Sequence, residues 1–269
     1  EGLFILKSLL KSEINSISPL IEYARIEGNL SASWIPDQFN FILIDGEGIG
    51  HNLKEIKKLF LGNGFLHLKN ILNINEITKI KENILKEFGC LDKQQLNIED
   101  KKTLDRCEMP VTHEKCPRID INSYKAHINS RLPDVLKVIF EEDFLWHFPP
   151  QVRRLSIEKE IGLLPFHQDY YYNANYENIM VCWTPLSKCG ENAPSLDLVN
   201  KTIKEKIEHK SNEIWEFGIS PEIFNKYASE DEIISLTDVN IGDVVIFDAY
   251  NLHRTYRNEN MNQIRYSMD

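Results

Sequence analysis

The period of the apolar residues changes near residue 150, and that change narrows the folds open to this 269-residue chain. Before it, apolar side chains recur every three or four positions, the spacing of one helix face. Leu53, Ile56 and Phe60 predict a helix over 52–61, stopped by Gly62-Asn63-Gly64. Ile77, Ile80, Ile84 and Leu85 predict another over 75–88, with Asn75 as its N-cap. Residues 14–26 are expected to be helical too, and Phe65-Leu66-His67-Leu68 to be a short strand. Residues 31–40 read as loop. Residues 91–130, polar and carrying Pro110 and Pro117, read as a long loop region lining or covering a site.

After residue 150 the period becomes two. Strands are expected over 151–158, 163–172, 178–186, 243–249 (introduced by the turn Ile241-Gly242) and 263–268. Residues 200–227 return to helical character, with Pro221 near the start of a second piece, and 194–200 read as loop. Short strands with turn signals predict a mainly β sandwich or jelly roll with flanking helices. The reading is one domain over 1–269. Residues 1–149 are its mainly helical part and 150–269 its core, with a helical insertion at about 200–232.

Charge and cysteine usage exclude several classes. The formal net charge is −10, and the lysine clusters at 54–58 and 201–210 are interleaved with Glu or apolar residues, so nucleic acid is not an expected partner. No apolar run reaches the roughly 18 residues that span a bilayer, and residues 3–10 lack a signal-cleavage pattern. The five cysteines are odd in number and none has CxxC spacing, which points to a reducing, cytoplasmic compartment. Cys107, His113 and Cys116 fit no common zinc spacing.

Three pieces of sequence carry chemistry. In His167-Gln168-Asp169, period two projects the imidazole and the carboxylate together and turns Gln168 away. The apolar run from Val244 ends at His253, so a buried strand is expected to deliver a third ligand at its far end. Two His and one carboxylate leave three metal positions open, the arrangement of non-haem Fe(II) oxygenases: an oxoacid takes two and dioxygen one. The third piece is Arg265-Tyr266-Ser267. If 257–262 forms a hairpin turn centred near residue 260, Thr255 pairs with Arg265 and His253 with Ser267, all on one face. A guanidinium fork beside the metal suits the distal carboxylate of 2-oxoglutarate. Each piece has a plainer reading, as a satisfied core histidine or an ion-paired arginine. Their order along one chain is much more specific than any one of them.

The stretches Leu164-Pro165-Phe166-His167-Gln168-Asp169, Cys182-Trp183-Thr184-Pro185-Leu186, and Gly242-Asp243 through His253 to Arg265-Tyr266-Ser267 resemble the phytanoyl-CoA dioxygenase family of Fe(II)/2-oxoglutarate oxygenases. The resemblance extends over about residues 55–269, loosely before 150. It implies a double-stranded β-helix core, 2-oxoglutarate contacts from Trp183, Thr255 and Arg265 with help from Ser267, and Fe(II), 2-oxoglutarate and O2 as the reacting set. It also implies hydroxylation or a related oxidation of a small molecule, because Asp169 stands where halogenating relatives carry a small residue. Substrate contacts are expected from Tyr171, turned to the side of Asp169, and from Arg153 on a preceding strand; both suit a structural role at least as well. The alternatives are a differently metallated jelly-roll enzyme and a non-catalytic small-molecule-binding protein.

Overall fold

A computed structural model describes residues 39–42, 48–51, 53–87, 121–141, 150, 152–155, 163–170, 179–209 and 218–269. The expected helix over 14–26, the cluster Cys107, His113 and Cys116, and Tyr171 lie outside these residues.

The helical spacings of the first half give α1 (Leu53–Asn63) and α2 (Ile74–Glu87), with β3 (Phe65–Leu68) between them. Gly64, at φ +77°, ends α1; its N–H bonds to the carbonyl of Phe60, and a Cβ there would sit 2.6 Å from the Lys201 carbonyl oxygen. The N-cap of α2 is Asn73, not Asn75: its Oδ1 accepts from the N–H of Asn75 at 3.0 Å and of Glu76 at 3.4 Å. Two shorter helices follow, α3 (Ile121–Ile128) and α4 (Leu132–Phe140). The first occupies the end of the expected loop region 91–130, where polar side chains concealed a helix.

The strands form two antiparallel sheets. Strands β1 (Phe39–Ile42) and β2 (Gly48–His51) join β3, β4 (Val152–Leu155), β5 (Met180–Pro185), β8 (Val244–Asp248) and β10 (Arg265–Met268) in the order β2-β1-β3-β8-β5-β10-β4. The second sheet is β7 (Ile233–Ser235), β6 (Ser195–Val199) and β9 (His253–Tyr256), in the order β7-β6-β9. Residues 194–200, expected as loop, contain β6, whose five residues are all buried. A strand buried on both faces carries no alternation to reveal it.

Period two sorts the side chains of the large sheet. Leu66, Leu68, Val244 and Ile246 pack outward against Ile56, Ile77, Leu132 and Val135 of the helices. Phe65, Val245, Phe247 and Trp183 turn inward against Leu196, Leu198 and Leu236 of the small sheet. Each such side chain contributes roughly 1.5–3 kcal/mol of burial. Asp243, fully buried at the foot of β8, accepts from the N–H groups of Asn70 and Asn240 and meets His67 Nε2 at 3.0 Å. These bonds hold its carboxyl below the usual range although burial works against the charge. A third core, Phe166, Val199, Ile203, Ile207, Ile219, Phe224 and Leu252, fastens residues 199–209 and 218–228 outside the small sheet. Within the described part of that insertion the second piece is helical, as α5 (Pro221–Tyr227), and residues 201–209 are not.

Among the described residues no helix is long and apolar enough to cross a membrane, and Cys182 and Cys189 are free thiols.

Candidate functional site

Strand β8 ends at Asp248, and His253 opens β9 in the other sheet. The histidine therefore does not sit at the far end of one long strand; the chain crosses from sheet to sheet between them. On β9, His253 and Thr255 stand opposite Leu198 and Leu196, so they share the inward face. The Phe247 ring, from the large sheet, lies 4.6 Å from the His253 ring.

His167 and Asp169 sit on a segment that is not the strand expected over 163–172. It touches β9 through one bridge, His167 to His253, made by two backbone hydrogen bonds of 3.0 and 3.2 Å. Leu164 and Thr255 add two more: Thr255 donates its N–H to the Leu164 carbonyl, and its hydroxyl accepts from the Leu164 N–H at 3.1 Å. Thr255 thus anchors the segment that presents His167 and Asp169.

The three expected ligands come together. One ligand atom from each of His167, Asp169 and His253 lies within 4.8 Å of the others. Asp169 Oδ1 is 3.7 Å from His167 Nε2, and its Oδ2 is 3.6 Å from His253 Nε2. Both imidazoles donate from Nδ1 to backbone carbonyls, His167 to Pro165 at 2.8 Å and His253 to Asn251 at 3.1 Å. That tautomer leaves each Nε2 lone pair facing the carboxylate, as in metal-ligating histidines, whose other ring nitrogen donates to a carbonyl or carboxylate. The donor set, two neutral nitrogens and one carboxylate on one side, fits a divalent transition metal with open positions.

Charge in the cluster is held by proximity. Burial and the neighbouring His253 push His167 down to about 3. Asp169 is desolvated as well, yet His253, His167 and Arg153 keep its carboxyl below its ordinary value. His209 beside them is also lowered, chiefly by burial. A buried histidine with a lowered value binds fewer protons folded than unfolded between about pH 3 and 6.5. The metal-free protein should therefore lose stability as pH falls through that window. Melting temperatures of chelator-treated protein from pH 7.5 to 5 should fall, and the His167→Asn variant should show a shallower slope. Equal slopes would remove this assignment.

Strand β10 carries Arg265 and Ser267 inward, both buried. It does not form a hairpin with β9. Its edges are taken by β4 and β5, while β9 pairs with β6, so residues 257–264 connect two sheets. The inward parity of all four residues survives, because each strand's alternation is fixed by its own sheet. The Arg265 guanidinium donates from Nη1 to the Ser195 carbonyl at 3.2 Å and lies 5.7 Å from the Trp183 ring centroid. Its Nε, the Ser267 and Ser195 hydroxyls and Trp183 Nε1 are buried without a hydrogen-bond partner among the described residues. No carboxylate there lies at ion-pair distance from Arg265 either, and burial pushes it down to about 10. It stays charged at neutral pH. A buried cation with an orphaned donor, ringed by unpartnered hydroxyl and indole groups, is a cradle for an anion.

Arg153 faces the same interior: β4 places it opposite Ser267, and its Nε donates to Asp269. Sequence reasoning missed Ser195, Gln168 and His209. Ser195 was hidden in the unrecognised strand β6. Gln168 was read as pointing away from the metal, and nothing in the local pattern of residues 200–210 marks His209.

The chain matches the model of the phytanoyl-CoA dioxygenase (PhyH) family over residues 60–266. Among solved structures it resembles EvdO2 from Micromonospora carbonacea var. aurantiaca, at a TM-score of 0.55 and 13% identity over 80% of this chain and 87% of that one. It also resembles SnoK, a non-heme alpha-ketoglutarate-dependent carbocyclase from nogalamycin biosynthesis, at 0.55 and 12% over 80% and 81%. A third is SnoN, a non-heme alpha-ketoglutarate-dependent epimerase of the same biosynthesis, at 0.52 and 10% over 80% and 78%. At such identities the likeness is one of fold, the double-stranded β-helix of two facing sheets that carries the site just described. With a family match spanning most of its length, and the metal-ligand pattern in place within that match, the chain belongs to the phytanoyl-CoA dioxygenase family.

Proposed function

We propose that the chain is an Fe(II)- and 2-oxoglutarate-dependent oxygenase that hydroxylates, or otherwise oxidises at a C–H bond, a small organic metabolite or natural-product intermediate. The observation that carries this reading is that the inward faces of the two sheets carry both a His-Asp-His cluster and a buried arginine with an unpartnered donor. His167, Asp169 and His253 would hold the iron and leave three positions for oxoacid and dioxygen. Arg265, with Ser267 and Trp183 beside it, would grip the distal carboxylate of 2-oxoglutarate. When bound, the iron couples dioxygen reduction to oxidative decarboxylation of 2-oxoglutarate, giving succinate and carbon dioxide. The chain's own contribution is orientation and exclusion of water. The paired Nδ1 bonds fix the imidazoles, Thr255 anchors the ligand segment, and the apolar layer of Phe65, Val245, Phe247 and Leu198 keeps the interior dry. The carbocyclase and epimerase of similar fold leave the outcome at the substrate carbon to be measured.

The test is an anaerobic Fe(II) titration with 2-oxoglutarate, followed by admission of air. The expected result is a weak visible metal-to-ligand charge-transfer band, then succinate formed in step with 2-oxoglutarate consumed. No band with both components in excess would retire the oxygenase reading and favour a non-catalytic or differently metallated member of the fold.

A further inference from the structure

Between the two ligands of the His167–Asp169 segment stands Gln168, which is fully buried. Its side chain spans three backbone groups of two other segments. Oε1 accepts from the N–H of Ile207 at 2.9 Å, and Nε2 donates to the carbonyls of Glu205 at 2.9 Å and Tyr250 at 2.7 Å. Its own N–H donates to His209 Nε2 at 2.9 Å, and His209 Nδ1 donates in turn to the Ile207 carbonyl at 2.8 Å. Apolar and aromatic contacts run alongside. Ile203 and Ile207 pack in one core with Phe166, and Lys206 Nζ lies 4.3 Å over the Tyr170 ring, itself stacked on Tyr250. Towards β9 the ligand segment has one bridge, at His167, and the Leu164–Thr255 pair of hydrogen bonds in place of a strand ladder. The bonds of Gln168 and His209 add rigidity to that short attachment.

We propose that Gln168 and His209 form a clasp that fastens residues 205–209 across the metal-binding segment and so sets the angle at which His167 and Asp169 meet the metal. Both are positioning residues; neither is proposed to touch the ion. Any rotation of the Gln168 peptide moves both flanking ligands, and four hydrogen bonds oppose that rotation. The inference rests on the metal reading above.

Gln168→Met keeps the volume of the side chain and removes all three of its hydrogen bonds. Gln168→Glu keeps the acceptor for Ile207 and loses both donated bonds. Glu232→Ala serves as a control. It frees the same insertion elsewhere, at the Lys201–Glu232 ion pair of 3.0 Å, without reaching the ligand segment. In the metal-free protein, amide exchange over 205–209 should rise in Gln168→Met. Its Fe(II) affinity should fall about 10- to 100-fold, the range for loss of an outer-shell partner, and the Fe(II)·2-oxoglutarate band should shift. Gln168→Glu should fall between parent and Gln168→Met, and Glu232→Ala should change neither affinity nor band. If Gln168→Met does not fold, His209→Ala, which deletes one acceptor, carries the same readouts. Gln168→Met or His209→Ala lowering the melting temperature while leaving Fe(II) affinity and band as in the parent would overturn the clasp and leave the metal reading standing. A parent protein that takes up no Fe(II) would overturn both.

Discussion

Asp169→Ala should abolish Fe(II) retention and 2-oxoglutarate turnover together while leaving the fold intact. Asp169 is the only carboxylate in the three-residue cluster, 3.6 and 3.7 Å from two neutral imidazole nitrogens. Without it the site is a pair of uncharged donors, and the loss should exceed the roughly 10–100-fold that removal of an outer-shell partner costs. The fold should survive because the backbone bonds of the segment belong to Leu164, Phe166, His167, Gln168 and Tyr170 and do not involve the Asp169 side chain. Iron measured after desalting, the charge-transfer band and oxoacid consumption should therefore all vanish, with circular dichroism unchanged. Retention of parental iron content and turnover would mean that the cluster is not the metal site.

Much of this arrangement is legible in the sequence, and the parts that are not share a physical cause. Helices α1 and α2 and strands β3, β5 and β8 each present one apolar face or a bounded apolar run, so periodicity marks them. The ligands could be read from residue type and order alone: an imidazole and a carboxylate two apart, then a distant histidine. Their backbone setting could not. The spacing of His167 and Asp169 suggests a strand, whereas the segment is irregular and held by Gln168, Thr255 and one bridge. A metal-ligand spacing specifies relative side-chain direction, which several backbone paths satisfy.

Pairing of β9 and β10 failed for a related reason. Thr255 and Arg265 do share the interior, but across the gap between sheets. Sequence parity reports the face a residue takes, not the partner its strand selects, and in a two-sheet fold a polar connection such as residues 257–264 either turns back or crosses over. Strand β6 escaped because both its faces are covered. Gln168 and His209 escaped because their bonds run between residues about forty positions apart.

Arg265→Met should separate affinity from stability, moving them in opposite directions. In the ligand-free protein Arg265 is 2% exposed, and among the described residues its guanidinium makes one hydrogen bond, to the Ser195 carbonyl, and has no carboxylate partner. A buried charge in that state is a burden on the fold, so an apolar side chain of similar length should leave the ligand-free melting temperature unchanged or raise it. The 2-oxoglutarate complex should behave in the reverse manner. The distal carboxylate loses a charge-assisted bond worth about 1.5–3 kcal/mol, which corresponds to roughly ten- to hundred-fold weaker binding. Parent protein with Fe(II) should gain about 2.7 kcal/mol of stability at oxoacid concentrations 100 times its Kd, and the variant should gain only about 0.4–1.4 kcal/mol at the same concentration. Arg265→Lys should recover part of the affinity, since it restores a point charge without the fork that matches a carboxylate. A structural arginine predicts the opposite pattern: a lower ligand-free melting temperature in Arg265→Met and no change in the oxoacid concentration that develops the charge-transfer band. The two roles therefore differ in sign in the ligand-free protein, before any substrate is known.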